Sequence, residues 1–244
     1  MQKFDLHCHA AEGSIDAFVK INEIAIRLKE KGYNGMLITD HNSYNAYKHI
    51  KNIDNFVILK GIEYDTIDCG HVIIILPNNI ICKEFIKVGM TLEKVSNIVH
   101  KYNGVLGLAH PFDHGPFGCF RNKLNLKRID EIVLKIDFIE VFNSSASEKG
   151  NLDALKIAQK YNLAITGGSD CHRKNCIGIG QSIINTDIKD NNDLIQAIKE
   201  RKIVECFGTF TQKKFKRLKH FCFNCIIGPY YELNKLKVKL MRKN

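Results

Sequence analysis

Short apolar runs alternate with helix-period segments along most of the chain. The runs at residues 3–7, 35–39, 57–62, 71–76, 105–109, 138–141 and 164–166 read as buried strands. Between the first two, Ile21, Ile24, Ala25 and Leu28 recur at helical spacing, and Gly32 stands where such a helix would end. Leu92–Lys101 predicts a second helix. Leu152, Leu155, Ile157 and Ala158 predict a third that stops before Asn162, and residues 192–199 a fourth that opens on a polar capping residue. Strands alternating with helices predict an α/β fold with a mainly parallel sheet or barrel. No internal repeat and no low-complexity linker interrupts the pattern.

Charge changes this picture at one end only. The net charge of +10 suggests a nucleic-acid binder until it is mapped. Residues 1–210 carry 26 basic against 25 acidic side chains, whereas residues 211–244 carry 10 against 1. A near-neutral body over 1–210 with a basic extension over 211–244 is therefore the expected organisation. No apolar run reaches the length of a transmembrane helix, and the opening MQKFDLHCHA lacks the apolar core of a secretory signal. Nine scattered cysteines without an export signal predict reduced thiols in a cytoplasmic protein.

Chemistry gathers where the predicted strands end. Asp5-Leu6-His7-Cys8-His9, Asp40-His41, Glu63, His110 and Asp170-Cys171-His172 all follow apolar runs, and His71 opens one. Strand C-termini of an α/β barrel converge on one face, and residues two apart on a strand share a side. His7 and His9 are thus placed to hold one metal ion, and Asp170 and His172 to face the same pocket. Each piece alone has a plain structural reading: a surface histidine pair, an Asp helix cap, an exposed strand-end Glu, a satisfied core His. Six of ten histidines in such positions argue for a metal centre.

Six ordered motifs, DLHCH at 5–9, TDHN at 39–42, GIE at 61–63, GH at 70–71, AHP at 109–111 and GSDCH at 168–172, resemble the polymerase-and-histidinol-phosphatase (PHP) family. IEVFN at 139–143 and IGIGQSIINT at 177–186 are also similar to family segments, so the resemblance covers roughly residues 1–205. It implies a distorted (β/α)7 barrel and a metal-dependent phosphoesterase. By the same resemblance His7, His9, Glu63 and Asp170 hold a first metal, and Glu63 bridges to a second held by His71 and His110. His41, His172 and an acidic residue of the loop AAEGSID hold a third; Glu12 and Asp16 both qualify, and the Ser-x-Asp spacing favours Asp16. If neither binds, two metals are expected. Asp5 and Asp40 are read as partners orienting ligand histidines, Cys8 and Cys171 as packing residues, and His49, His100, His114 and His220 as structural or surface residues.

The expected chemistry is hydrolysis of a small phosphorylated metabolite or nucleotide by a metal-bound hydroxide, with zinc, manganese or iron as the metal. His172 or Asp40 is the candidate for protonating the leaving group. Arg121 and Arg173 are the first candidates for binding substrate phosphate, ahead of Lys123 and Lys174, because guanidinium matches phosphate geometry. In the basic extension, Lys213, Lys214, Lys216, Arg217 and Lys219 mix with Phe215, Tyr230 and Tyr231. That mixture suits single-stranded nucleic acid, anionic lipid or a helix packed on the barrel. Cys222 and Cys225 lack the second pair a structural zinc site needs. The competing functions are an exonuclease-type phosphodiesterase acting on nucleic-acid ends and a metal-bound module without catalysis.

Overall fold

The computed structural model describes residues 1–78, 80–113 and 117–211. Seven strands build the wall of a barrel: β1 (Gln2–Cys8), β2 (Gly35–Ile38), β3 (Val57–Thr66), β4 (Gly70–Ile75), β5 (Val105–Leu108), β6 (Phe138–Asn143) and β7 (Ala164–Gly168). A hairpin, β8 (Gly180–Ile184) and β9 (Ile203–Gly208), completes a sheet in the order β7-β6-β5-β4-β3-β2-β1-β8-β9. Six helices lie between strands: α1 (Ile21–Glu30), α2 (Leu92–Lys101), α3 (Lys123–Lys127), α4 (Ile129–Val133), α5 (Glu148–Tyr161) and α6 (Asn191–Lys199). Two of the longer ones, α2 and α5, carry side-chain N-caps. Thr91 accepts the Lys94 N–H at the start of α2, Ser147 accepts the Gly150 N–H at the start of α5, and Asn162 ends α5 in the left-handed conformation.

The barrel is nearly closed by a seam between β1 and the end of β7. The Asp170 N–H donates to the His7 carbonyl at 2.8 Å and the His9 N–H to the Cys171 carbonyl at 3.1 Å. Gly168 permits the approach, because a Cβ there would sit 2.5 Å from the His7 Cβ. At the other end of β1, Gln2–Phe4 pair with β8 instead. Phe4, Leu6, Leu37, Leu59, Ile73 and Phe138 belong to one buried cluster to which all seven barrel strands contribute.

The sheet is more mixed than the sequence suggests. β4 runs antiparallel to both β3 and β5, and β8 and β9 are antiparallel to their neighbours. Three residues separate β3 from β4, far too few for a parallel crossover. The turn is built instead by Thr66, whose hydroxyl accepts the Cys69 N–H at 3.0 Å and donates to the Gly70 carbonyl at 2.7 Å. One expectation changes with it. Glu63 lies within a ten-residue strand, not at its end. His71 reaches the site from the start of a reversed strand, at the barrel end where the parallel strands finish.

Reduced thiols throughout is also corrected, since Cys69 and Cys119 form a disulfide between the turn before β4 and the segment after β5. Cys8, Cys82, Cys171 and Cys206 are outside any disulfide among the described residues. No helix of the described residues is long and apolar enough to cross a membrane. His114, His220, the Cys222/Cys225 pair and the basic extension from 212 onward lie outside the described residues.

Candidate metal centre

β1 delivers two imidazoles whose outer nitrogens are already committed. His7 Nδ1 lies 2.9 Å from Glu140 Oε1, and His9 Nδ1 lies 3.2 Å from Ser14 Oγ. Glu140 also accepts the His110 N–H at 2.8 Å and the Asn143 amide at 3.0 Å. Ser14 donates to Asp40 at 2.9 Å, so its oxygen receives the His9 Nδ1–H. Both Nε2 atoms therefore point inward, 3.1 Å apart. Asp170 Oδ1 stands 3.8 Å from His7 Nε2 and 3.4 Å from His9 Nε2.

Glu63 is the hub. Its Oε1 lies 3.0 Å from His71 Nδ1 and 2.9 Å from His110 Nε2. Its Oε2 lies 3.1 Å from His41 Nδ1, 3.3 Å from His9 Nε2 and 3.5 Å from His7 Nε2. Five imidazoles thus converge on one carboxylate, which is 1% exposed. Backbone conformation is spent here as well: His110 and Asp170 hold φ of 27° and 51°, a left-handed region that costs a side chain about 1–3 kcal/mol.

Towards the mouth, Asp16 Oδ2 stands 3.1 Å from His172 Nε2 and 3.7 Å from His41 Nε2. Glu12 is engaged elsewhere, accepting the Ile21 N–H at the start of α1 at 3.0 Å. His172 Nδ1 lies 3.0 Å from the Asp170 carbonyl, which turns Nε2 to the pocket. Three donor groups have the spacing of metal sites: His7, His9 and Glu63; His41, Glu63 and His71; and His9, His41 and His172.

Electrostatics follow from burial and crowding. Burial works against charge on Glu63, but His71, His7 and His41 outweigh it and hold the carboxyl well below the usual carboxylate range. Burial also opposes a charged His7, and Glu140, Glu63 and Asp170 overcome it and raise its pKa well above the ordinary value. His9 is pushed well down by burial and then by His172 and His41. His41 is raised to about 9, against burial, by Glu63 and Asp16. Asp16 is held well below its usual range because His172 and His41 outweigh its burial.

Protons alone do not satisfy this cluster. A proton on His7 Nε2 answers one contact, yet Glu63 Oε2, His41 Nδ1 and His172 Nε2 are buried with no hydrogen-bond partner. Mixed imidazole and carboxylate donors facing one space fit divalent cations, which compensate all of them at once.

The remaining sequence candidates are spread around this core. Asp40 accepts the Ala10 N–H at 2.7 Å and the Ser14 hydroxyl, so it reaches His9 through Ser14. Asp5 touches no ligand ring; it accepts backbone N–H groups of Ser169 at 2.8 Å and His7 at 3.3 Å, fixing the seam. Burial pushes both carboxyls up to about 6. The Arg173 guanidinium lies 4.7 Å above the Phe18 ring, one residue beyond His172. Arg121 is exposed, four residues past Phe117, whose ring lies 4.5 Å from that of His71.

Sequence reasoning missed Glu140 and Ser14. Glu140 had a signal, a lone acid inside the apolar strand FIEVF. Replacing Glu140 with Gln is expected to weaken metal affinity about 10–100-fold, the usual cost of losing a partner that orients a ligand histidine. Metal titration of the variant by calorimetry checks this, and unchanged affinity removes Glu140 from the ligand framework.

Known proteins resemble this chain in sequence and in fold. A PHP domain model matches residues 5–166, and a PHP-associated model matches residues 148–203. A Caldicellulosiruptor bescii protein named "Probable phosphatase" is 26% identical over 200 residues, covering 71% of this chain and 81% of the relative. Among solved structures, PsfC from Pseudomonas syringae superposes with a TM-score of 0.62 at 14% identity, covering 98% of each chain. A lesion-specific endonuclease from Pyrococcus furiosus gives 0.59 at 21% identity, covering 85% of this chain and 57% of that one. At those identities the likeness to the two structures is one of fold. The class is a metal-dependent phosphoesterase built on a nearly closed α/β barrel. Within it, the chain belongs to the PHP domain family.

Proposed function

We propose that the chain hydrolyses phosphate esters of small phosphorylated metabolites or nucleotides. The convergence of five imidazoles on Glu63, with Asp170 and Asp16 on either side, carries this reading. His7, His9, Glu63 and Asp170 would hold one divalent ion; Glu63, His71 and His110 a second; His41, His172 and Asp16 a third. Zinc, manganese and iron all suit these donors. When bound, such ions offset the charge that makes a phosphoester resist attack and lower the pKa of nearby water. Glu140 and Ser14 keep the His7 and His9 protons on Nδ1, so both Nε2 lone pairs face the centre. Asp40 acts as a positioning residue through Ser14. His172 serves as a ligand, because its Nδ1 proton is taken by the Asp170 carbonyl.

Arg173, held flat on Phe18 beside His172, supplies a cation for substrate phosphate at the mouth, and Arg121 is a second candidate. Elemental analysis paired with a phosphoester panel, including mononucleotides and short oligonucleotides, tests the whole reading. Two or three metals per chain with turnover that disappears in His9→Ala is the expected outcome. Arg173→Ala and Arg121→Ala are each expected to raise KM about tenfold, and an unchanged KM excludes that arginine. A full complement of metal without turnover on any phosphoester would support the non-catalytic module. Oligonucleotide cleavage lost on deleting residues 211–244 would support the nuclease.

A further inference from the structure

The segment between β1 and α1 presents two large apolar side chains to solvent around a candidate ligand. Ile15 is 90% exposed and Phe18 is 65% exposed, and Asp16 lies between them in sequence. Scattered exposed apolar residues are ordinary on a protein surface. These differ in being pinned at the mouth. Ser14 and Ala17 are buried, the Phe18 N–H donates to the His172 carbonyl at 2.9 Å, and the Ala11 N–H donates to the Val19 carbonyl at 2.9 Å. The Phe18 backbone is therefore anchored next to His172, and the Arg173 guanidinium lies over the Phe18 ring at 4.7 Å from its centroid.

An ester whose phosphorus sits among the histidines and carboxylates must project its leaving group out of the pocket. On the His172 side it meets a phenyl ring, an aliphatic side chain and a planar guanidinium. Flat, weakly hydrated surfaces of this kind favour a ring over a polyhydroxyl chain, as rings stack on both phenyl and guanidinium planes. We propose that Phe18, Ile15 and Arg173 form the recognition face for a ring-bearing leaving group, making phosphate esters of nucleosides the preferred substrate class. This rests on the phosphoesterase reading above.

Adenosine 5′-monophosphate and ribose 5-phosphate differ only by the base and make the test. Metal-loaded wild type should prefer the nucleotide, and Phe18→Ala should lower the ratio of the two kcat/KM values about tenfold, a typical loss for one base–aromatic stack. Phe18→Trp should restore the ratio. A ratio that Phe18→Ala leaves in place, whether both substrates weaken together or neither does, overturns the proposal. Calorimetric binding of phenylphosphonate against methylphosphonate gives a reading that needs no turnover. If wild type hydrolyses no phosphoester, the phosphoesterase reading fails, while equal binding of the two phosphonates by wild type overturns the recognition face.

Discussion

Replacing Glu63 with Gln is expected to lower turnover of any phosphoester by about a thousandfold, or roughly 4 kcal/mol of barrier. The substitution conserves volume and leaves no cavity in a residue that is 1% exposed. It removes the one negative charge lying within 3.5 Å of five imidazole nitrogens. It also turns one ligand oxygen into an N–H donor, which repels a cation. Because Glu63 belongs to two of the three donor groups, metal content should fall by at least one ion per chain along with activity. Elemental analysis and kcat/KM on the same sample check both. A variant that retains full metal and activity within tenfold of wild type would falsify the hub assignment.

Stripping the metals is the second large effect, and it should appear as lost stability. An ion held at a hundred times its Kd stabilises the native state by about 2.7 kcal/mol, and two or three of them by roughly 5–8 kcal/mol. For a domain of this size, each kcal/mol moves Tm by about 2–4 °C. Chelation is therefore expected to lower Tm by about 10 °C or more. The His7 and His9 Nε2 atoms lie 3.1 Å apart beside the seam that closes the barrel, so loss of a shared cation would act on closure as well as on the site. Scanning calorimetry before and after chelation reads the shift. His9→Ala, already depleted of metal, should shift far less. A Tm that stays within about 2 °C in wild type would mean that the cluster does not depend on cations for its stability.

Much of this centre was legible from local rules. His7 and His9 share a side because strand side chains alternate, and strand ends converge because most barrel strands are parallel. The preference for Asp16 over Glu12 came from the loop's resemblance to the family's Ser-x-Asp version, and the structure shows Glu12 engaged at the first turn of α1. The reversal of β4 was hidden because an apolar run such as HVIIIL looks alike in either direction. Glu140 was hidden for a different reason: its role depends on meeting His7 across 133 residues, which no local pattern encodes. Asp5 was misread because a DxH spacing suggests a side-chain partner, whereas its Oδ1 accepts the backbone N–H of His7 two residues on and that of Ser169 across the seam. The Cys69–Cys119 bond likewise joins positions 50 residues apart.

That disulfide makes the aperture of the pocket lopsided. On one side, Phe117 rests on His71, two residues from a covalent tie to the barrel wall. On the other, residues 11–20 are tied by the Phe18 N–H donating to the His172 carbonyl and the Ser14 hydroxyl donating to Asp40, with the Ala11 N–H donating to the Val19 carbonyl within the segment. Any widening of the aperture to admit a bulky ester must fall to the second side, which also carries Asp16. Admitting a bulky ester on that side would therefore displace Asp16 together with the loop, coupling substrate size to the third proposed metal position.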